Sequence, residues 1–465
     1  MSILLLLLLW PLGSLIWYCV EWGGFSIKYR ALLLPSLLLL FAGVLLFGDL
    51  HSSDSYLVVT TTRRTLAFMW VMFLLLAQIC TAKDKTLLEE ELLPVQIGYA
   101  GLGCLALFSN HVSILVLSLI TLFVVCTQAP QLSLRSRARD VTPWAHFWFS
   151  SLIILAVLFV GLVLVEFGTL YITQIQSMVL AAPMGPWVHW VLGLFLILIL
   201  SSNIFLPFSF FLREFEESDS WRIFSYFRVS ASMLLLLISV IWVESLAGGW
   251  SANGQFEWAK GTVLPDVFFY LSALISVLAS FQVLFSKRFS QTFQALAMQV
   301  HIPLCWGVLS GVRLAQLSEI YALLSWVLAI GIILFVVVDI DLKPFEEESG
   351  VQMALKTATP IHIFAIILGI LSLSPMFRIG SFEMLSSGFN KWSPALLVCA
   401  ALSVMGVMLE LSMIFNGYSL RRERINIVGR GGLWGVLFLC LILITLGIYP
   451  SPLYKYLSSI LVSTT

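Results

Sequence analysis

Charged side chains are scarce in this chain of 465 residues. Asp, Glu, Lys and Arg make up 11% of it, whereas hydrophobic residues make up 60%. A soluble domain carries about 25% charged residues, so the composition excludes an ordinary soluble domain. The polar stretches are no longer than loops, and the sequence therefore predicts a polytopic membrane protein.

Features that bind cofactors, metals or nucleic acids are also missing. The 25 basic residues balance the 25 acidic ones, so no net charge favours a nucleic-acid partner. The seven cysteines stand singly in or beside apolar runs, without a CxxC motif or a Cys/His cluster, and are interpreted as apolar fillers. No GxGxxG motif follows a strand pattern, and no P-loop occurs. We therefore expect no cofactor, no metal site and no nucleic-acid partner.

Apolar runs long enough to cross about 30 Å of hydrocarbon are abundant, and we count fourteen of them. The first run has no basic segment before it, so we interpret it as a retained span and not as a signal peptide. The predicted spans lie near 3–20, 31–48, 65–82, 93–109, 111–128, 145–170, 190–212, 223–246, 263–285, 292–311, 316–338, 357–388, 394–416 and 433–450.

Basic residues in alternate loops predict the orientation of these spans. Seventeen lie in the loops of one side and six in the loops of the other. The positive-inside rule assigns the seventeen to the cytoplasmic side, which places both termini on the opposite side. The six basic residues of that opposite side are Arg63, Arg64, Lys260, Arg313, Lys391 and Lys455.

Two of the spans are interrupted in the middle. The seventh carries Ser202 and Asn203 before Pro207, and the twelfth breaks at Pro375, eight residues before Glu383. A break inside a membrane must satisfy its freed backbone groups and any ionisable side chain within protein or water. Corresponding breaks five spans apart indicate inverted repeats with an ion path at their interface.

The predicted fold is therefore an all-α polytopic membrane protein with about 14 transmembrane helices and two inverted five-helix repeats, with broken helices 7 and 12. Residues 1–92 form an N-terminal segment of three helices. Residues 93–246 form the first repeat, spans four to eight, and residues 263–416 form the second, spans nine to thirteen. The last helix and a tail occupy residues 417–465.

Several ordered motifs in the range 93–416 resemble one family of membrane subunits. The pair Pro207-Phe208 matches the Pro-Phe of a motif in the family's seventh span. Lys287 matches the charged part of an element after the ninth span, and the spacing from Pro375 to Glu383 fits the twelfth. The chain resembles a divergent antiporter-like subunit of respiratory complex I (NADH-quinone oxidoreductase chains 2, 4 and 5), of Mrp-type cation/proton antiporters and of membrane-bound hydrogenases. Members have fourteen core helices with broken helices seven and twelve.

Other family positions are altered in this sequence. The lysine of the seventh span is replaced by Ser202, and the basic residue of the eighth span corresponds to Arg228, which cannot release a proton near neutral pH. The family's glutamate in the fifth span corresponds to Ser118, in a helix without acids, and a lysine of the sixth span corresponds to His146. The resemblance implies that the scaffold is retained while half of its charge relay is replaced.

Four candidates for an ion path also have plainer explanations. Glu383 fits an exit-side carboxylate, but it could be a helix-end acid neutralised by Arg378. Arg228 could hold a buried charge, or its side chain could reach the cytoplasmic surface. His146 could carry a proton in the first half, or it could belong to an interfacial aromatic belt. His301 could titrate, although a structural histidine is commoner.

The remaining candidates are Ser202 and Asn203, as polar lining of the first break, Lys287 after the ninth span, and Glu410 deep in span thirteen. The acidic run after span eleven is interpreted as a solvated turn and not as a metal site.

The resemblance implies a membrane-arm subunit that translocates protons or cations through half-channels at the broken helices. Its partners would be other membrane subunits of a multi-subunit complex, a peripheral redox or soluble enzyme subunit, and the lipid bilayer. We expect a bacterial inner membrane as its location. The chain would not be an enzyme alone, but it could be part of a proton-translocating oxidoreductase of the NADH-quinone type.

Three alternatives stay open at this stage. The chain could be a non-conducting structural subunit of such a complex, because the acid of the fifth span and the lysine at Ser202 are missing. It could be the membrane partner in a bicarbonate-accumulating complex, where a soluble zinc protein does the chemistry. An unrelated solute transporter would need a polar pocket at the midplane, for which the sequence offers few residues.

Overall fold

A computed structural model describes the chain over six ranges and several single positions. The described residues are 3–23, 32–50, 55–81, 92–132, 142–181 and 430–448, with positions 230, 234, 237, 238, 281, 328, 329, 364, 365, 367, 368 and 455.

Every regular element within these residues is an α-helix, which confirms the all-α class for the described part of the chain. We number the helices in chain order. They are α1 (Ile3–Leu7), α2 (Leu9–Trp22), α3 (Leu33–Phe47), α4 (Thr61–Thr81), α5 (Leu92–Phe108), α6 (Val112–Leu132), α7 (Thr142–Phe167), α8 (Ile172–Ala181) and α9 (Arg430–Ile448).

The helices α3 to α7 fall on the second to sixth predicted spans, and their ends differ from the predicted ones by at most four residues. Within the described residues, no helix is both long enough and apolar enough to cross a membrane. The count of fourteen spans and the two five-helix repeats depend mainly on residues outside the described ranges, and they stay predictions.

Helices α1 and α2 are separated at Leu8 because Pro11 has no backbone N–H. Proline therefore cannot donate to the carbonyl of Leu7, which would be its partner in an uninterrupted helix. The neighbouring bonds are kept, from Leu8 N to Leu4 O at 3.0 Å and from Leu12 N to Leu8 O at 3.1 Å. The chain thus continues in one direction through the interruption.

The chain divides into two compact units, each made of residues that mainly contact other residues of the same unit. The first comprises Met1–Asn203 and Phe210–Gly248, and the second comprises Ile204–Ser209 and Gly249–Thr465. Helices α1 to α8 lie in the first unit. Helix α9 lies in the second unit, where it buries Leu439 and exposes Trp434.

Among the described helices of the first unit, α5 packs against α1, α2, α3, α4 and α6, while α7 packs on α6. Glycines make the close contacts of α5 possible. A Cβ atom at Gly101 would lie 2.6 Å from Trp10 Cβ, and one at Gly103 would lie 2.6 Å from Trp70 Cε2. The indole Nε1 of Trp70 donates to the carbonyl of Ala100 at 3.3 Å. The buried indoles of Trp10 and Trp70 therefore pack directly against the backbone of α5, at Gly101 and Gly103.

Many large apolar side chains are exposed on the described helices of the first unit. Trp22 is 93% exposed, Phe47 is 88% exposed and Val165 is 84% exposed, and further exposed Leu, Ile and Tyr side chains lie on α2, α3 and α7. Large contiguous apolar surface is rare on soluble monomers and marks contact with lipid or with other protein.

Candidate functional site

Most of the residues that the sequence singled out lie outside the described residues. For His146 the structure describes the backbone, within the first turns of α7, but not the side chain. The predicted site at the broken helices therefore stays a prediction. The residues outside the described ranges are Glu383, Arg228, Ser202, Asn203, Lys287, His301, Glu410, Pro207 and Pro375.

Ser118, which the resemblance predicts at the position of the family's fifth-span glutamate, is described. Its side chain is buried in α6, and its Oγ donates to the carbonyl of Ile114 on the same helix at 2.7 Å. A serine that returns its hydroxyl to its own backbone satisfies itself within the helix. This position therefore offers a buried neutral hydroxyl in place of a titratable carboxylate.

Within the described residues, polar contacts concentrate instead where three connections meet at one end of the helices. We call residues 55–60, 108–112 and 168–173 the junction. Val58 N donates to Phe108 O at 2.9 Å, and Val112 N donates to Leu170 O at 2.9 Å. Two isolated antiparallel bridges, Leu57 with Ser109 and His111 with Tyr171, accompany these bonds. The middle connection is thus bound on both sides by the other two.

Asn110 is the residue that joins all three connections. Its backbone N donates to Tyr56 O at 2.7 Å, and its carbonyl accepts from Ile172 N at 2.8 Å. Its Nδ2 donates to Ser55 O at 2.8 Å, while its Oδ1 accepts from Thr173 N at 3.1 Å. Because Thr173 is in the first turn of α8, Asn110 satisfies one of that helix's free N–H groups from another segment.

Two adjacent arginines at the start of α4 donate hydrogen bonds to backbone carbonyls near the junction. The buried guanidinium of Arg63 donates through Nη1 to the carbonyl of Ser109, just after α5. Arg64 donates through Nε to Leu45 O and through Nη2 to Leu46 O, the latter at 2.8 Å, at the end of α3. Cations at helix C-termini satisfy free carbonyls and interact favourably with the negative end of the helix dipole.

The junction also holds three aromatic rings in mutual contact. The imidazole of His111 lies 5.6 Å from the ring of Tyr56 and 5.1 Å from the ring of Tyr171, measured between ring centroids, and the two phenol rings are 5.8 Å apart. His111 Nδ1 is buried and has no hydrogen-bond partner among the described residues. The backbone around it is fixed, since Ser109 Oγ donates to His111 O at 2.9 Å.

Two titratable side chains of the junction have shifted pKa values. The hydrogen bond to Tyr171, then the charge of that phenol and partial burial, raise the pKa of Tyr56. Burial lowers the pKa of His111 below its ordinary value, because loss of water disfavours the imidazolium. Helix α6 begins at Val112, so His111 belongs to the connection and not to the helix.

Two further polar pairs lie along α5. Gln78 Nε2 on α4 donates to Gln96 Oε1 on α5 at 2.8 Å. Ser230 Oγ donates to the hydroxyl of Tyr99 at 3.2 Å, and both residues are buried. Ser230 follows Arg228 by two residues, so a position beside a predicted path residue is held against the middle of α5.

Sequence reasoning passed over the junction, although one signal was present. The run Phe108-Ser109-Asn110-His111 is a short polar break between two apolar segments. Such a break predicts a tight connection, but it does not tell which distant segments bond to it. No group of three or more His, Cys, Asp or Glu side chains suited to a metal occurs in the described part of the chain.

Comparison with known proteins shows likeness in structure. No family model and no curated protein sequence matches the chain. A chain of respiratory complex I from Thermus thermophilus with bound aureothin matches with a TM-score of 0.66 at 14% identity, covering 97% of this chain and 98% of the other. A chain of the same complex with bound NADH matches with a TM-score of 0.65 at 13% identity, covering 98% and 99%.

A third match is a chain of a membrane-bound sulfane sulfur reductase, described as an archaeal respiratory membrane complex. The TM-score is 0.68 at 13% identity, and the alignment covers 99% of this chain and 97% of the other. The resemblance that the motifs predicted is therefore confirmed as a likeness of fold over nearly the whole length of both chains.

Proposed function

We propose that this chain is a membrane-arm subunit of a complex-I-like or antiporter-like assembly and that it translocates protons or cations. The observation that carries the proposal is the fold likeness, which covers 97% or more of this chain and of each matched chain. The mean hydropathy of +1.00 and the exposed apolar side chains of α2, α3 and α7 support a place in lipid among other membrane subunits.

Under this proposal the chain has fourteen spans, with both termini on the non-cytoplasmic side of a bacterial inner membrane. The two broken spans, at Pro207 and Pro375, form half-channels, and Glu383 serves as the exit-side carboxylate. The ion moves along side chains and ordered water, driven by a partner subunit. No substrate is converted by this chain, so any enzymatic activity belongs to the assembly.

A second function is favoured by the environment of Ser118. A conducting fifth span needs a group that titrates or holds water, whereas Ser118 is buried and bonds to its own helix. Together with Ser202 at the lysine position, this favours a structural subunit that keeps the fold and conducts nothing. A membrane partner of a bicarbonate-accumulating complex would show the same features.

Proton flux in liposomes that hold the intact complex separates the two functions. Glu383→Gln removes the charge and keeps the shape, so conduction through the exit carboxylate should fall by about a hundredfold if the group relays protons. The matched control is Glu166→Gln, at the end of α7, where the side chain is partly exposed. We expect that control to keep the flux of the unmodified complex.

Assembly of the complex must be unchanged in both variants for the comparison to hold. Flux that falls with Glu383→Gln but not with Glu166→Gln supports translocation. Equal flux in all three complexes identifies the chain as a non-conducting structural subunit.

A further inference from the structure

We propose that His111, Tyr56 and Tyr171 form a proton-binding site at the junction, with Nδ1 of His111 as the atom that takes up the proton. The binding of a proton here is independent of what the whole chain does. Its use as a loading site at the non-cytoplasmic end of the first unit rests on the proposed function.

The orphaned imidazole nitrogen points to this site. A neutral imidazole has one nitrogen that donates and one that accepts, and buried polar atoms are nearly always satisfied. Nδ1 of His111 is buried without a partner in the described residues, between rings whose centroids lie 5.1 and 5.6 Å away. A water molecule, which can donate to this nitrogen or accept from it once it is protonated, is the partner that such a nitrogen requires.

A water molecule between the phenol hydroxyls and Nδ1, which itself has no hydrogen-bond partner among the described residues, would complete a path to solvent. Tyr56 is 50% exposed, and its hydroxyl is hydrogen-bonded to that of Tyr171. A hydroxyl both donates and accepts, so a pair of hydroxyls can pass a proton between water and a base. In the transfer an O–H bond of a water or buffer acid breaks and an N–H bond at Nδ1 forms. The imidazole gains one positive charge and the donor loses one.

The surroundings of His111 contain features that stabilise its imidazolium form and features that destabilise it, so the proton can be both bound and released. The faces of two tyrosine rings attract a cation, while burial disfavours it. Tyr56 faces His111 from the first connection and Tyr171 from the third, and α4 contributes the guanidinium of Arg63, bound to the carbonyl of Ser109. Asn110 holds the three connections together, so the rings cannot easily separate to relieve the imidazolium.

The pH dependence of chemical labelling tests proton binding without any measurement of flux. Diethyl pyrocarbonate reacts with the neutral imidazole, and the modified peptide is quantified by mass spectrometry in the intact complex. We expect the labelling of His111 to rise with pH around a midpoint below that of a histidine reference peptide treated in parallel. Labelling that does not change with pH would overturn proton binding, and a midpoint equal to that of the peptide would contradict the role of the rings in setting it.

Substitutions of Tyr171 test whether the rings set this midpoint. Tyr171→Ala should raise it toward the reference peptide, because water reaches the imidazole, whereas Tyr171→Phe should keep it, because the ring remains. Tyr18→Ala, an exposed tyrosine on α2 outside the junction, is the matched control and should change nothing. The same midpoint in Tyr171→Ala and in the unmodified protein contradicts the site even where the variant folds normally.

Flux measurements test the use of the site. In a complex whose flux depends on Glu383, His111→Gln should lower flux by about tenfold or more and remove the part of the pH profile near the labelling midpoint. Tyr56→Phe should lower flux while keeping the midpoint. Unchanged flux and pH profile in His111→Gln would refute a loading role. If Glu383→Gln leaves flux intact, the proposed function fails instead, and labelling still decides whether the junction binds a proton.

Discussion

Single residues at the junction explain an exception in the charge pattern. Arg63 and Arg64 are two of the six basic residues that the predicted spans assign to the side poor in basic residues. Their guanidinium groups bind carbonyls at the ends of α5 and α3, where free carbonyls and the helix dipole attract a cation. These two charges therefore have a structural role that a count of loop charges cannot reveal.

The buried arginine should matter more for stability than its exposed neighbour. Arg63→Gln leaves the carbonyl of Ser109 without its charged donor, and we expect a loss of about 1–3 kcal/mol. Arg64→Gln, whose guanidinium is partly exposed, should cost less. Thermal unfolding in detergent measures both, and equal shifts in Tm would contradict a structural role for the buried guanidinium.

The stability of the first unit should also depend on pH through His111. Burial lowers the pKa of His111 in the folded protein below the value of about 6.5 in the unfolded chain. Between these two values the unfolded chain binds more protons, so stability falls as pH falls through this window and is complete above it. Tm measured from pH 8 to pH 5 should show this decrease, and His111→Gln should lack it. A decrease of the same size in His111→Gln would assign it to other groups.

At the scale of elements, helix α5 is held against α4 by polar contacts at its two ends and by apolar packing in its middle. Arg63 fixes its end to the start of α4, and the bond from Gln78 to Gln96 fixes its beginning to the end of α4. The two helices therefore run antiparallel with polar contacts at both ends. Between these contacts, Trp70 packs against Gly103, so the middle of the pair depends on the absence of a side chain.

Two glycines of α5 should respond oppositely to the same substitution. A Cβ atom at Gly103 would collide with the indole of Trp70, so Gly103→Ala should cost about 1–3 kcal/mol. A Cβ atom at Gly98 would meet nothing within 4 Å, so Gly98→Ala should gain about 0.5–1 kcal/mol from helix propensity. Unfolding of the two variants in detergent gives the comparison. A stabilised Gly103→Ala variant would show that Trp70 can move away.

At the scale of the whole molecule, the junction agrees with the alternation of spans. The connections after the second, fourth and sixth predicted spans should share one side, and the structure brings these three together at one end of the helices. Whether that end faces away from the cytoplasm stays a prediction from the basic residues. The inverted repeats and the site at the broken helices also stay predictions, because their residues lie outside the described ranges.

Cysteine labelling tests this orientation. Thr173→Cys places a thiol on an exposed position of α8 within the junction, and Lys85→Cys places one in a loop predicted on the opposite side. A maleimide that cannot cross the membrane should modify the first and not the second in whole cells, and both after lysis. The reverse pattern would invert the proposed topology.

The sequence by itself determined the helical class, the positions of α3 to α7 to within four residues, and the likeness to the complex-I family. These properties depend on runs of apolar residues and on spacing within a segment, which are local. Tertiary structure alone decided the junction, because its bonds join residues far apart in the chain, such as Arg63 with Ser109, 46 residues apart, and Asn110 with Thr173, 63 residues apart. A polar side chain shows no local sign of which distant carbonyl or ring it will meet, since that depends on how the helices pack.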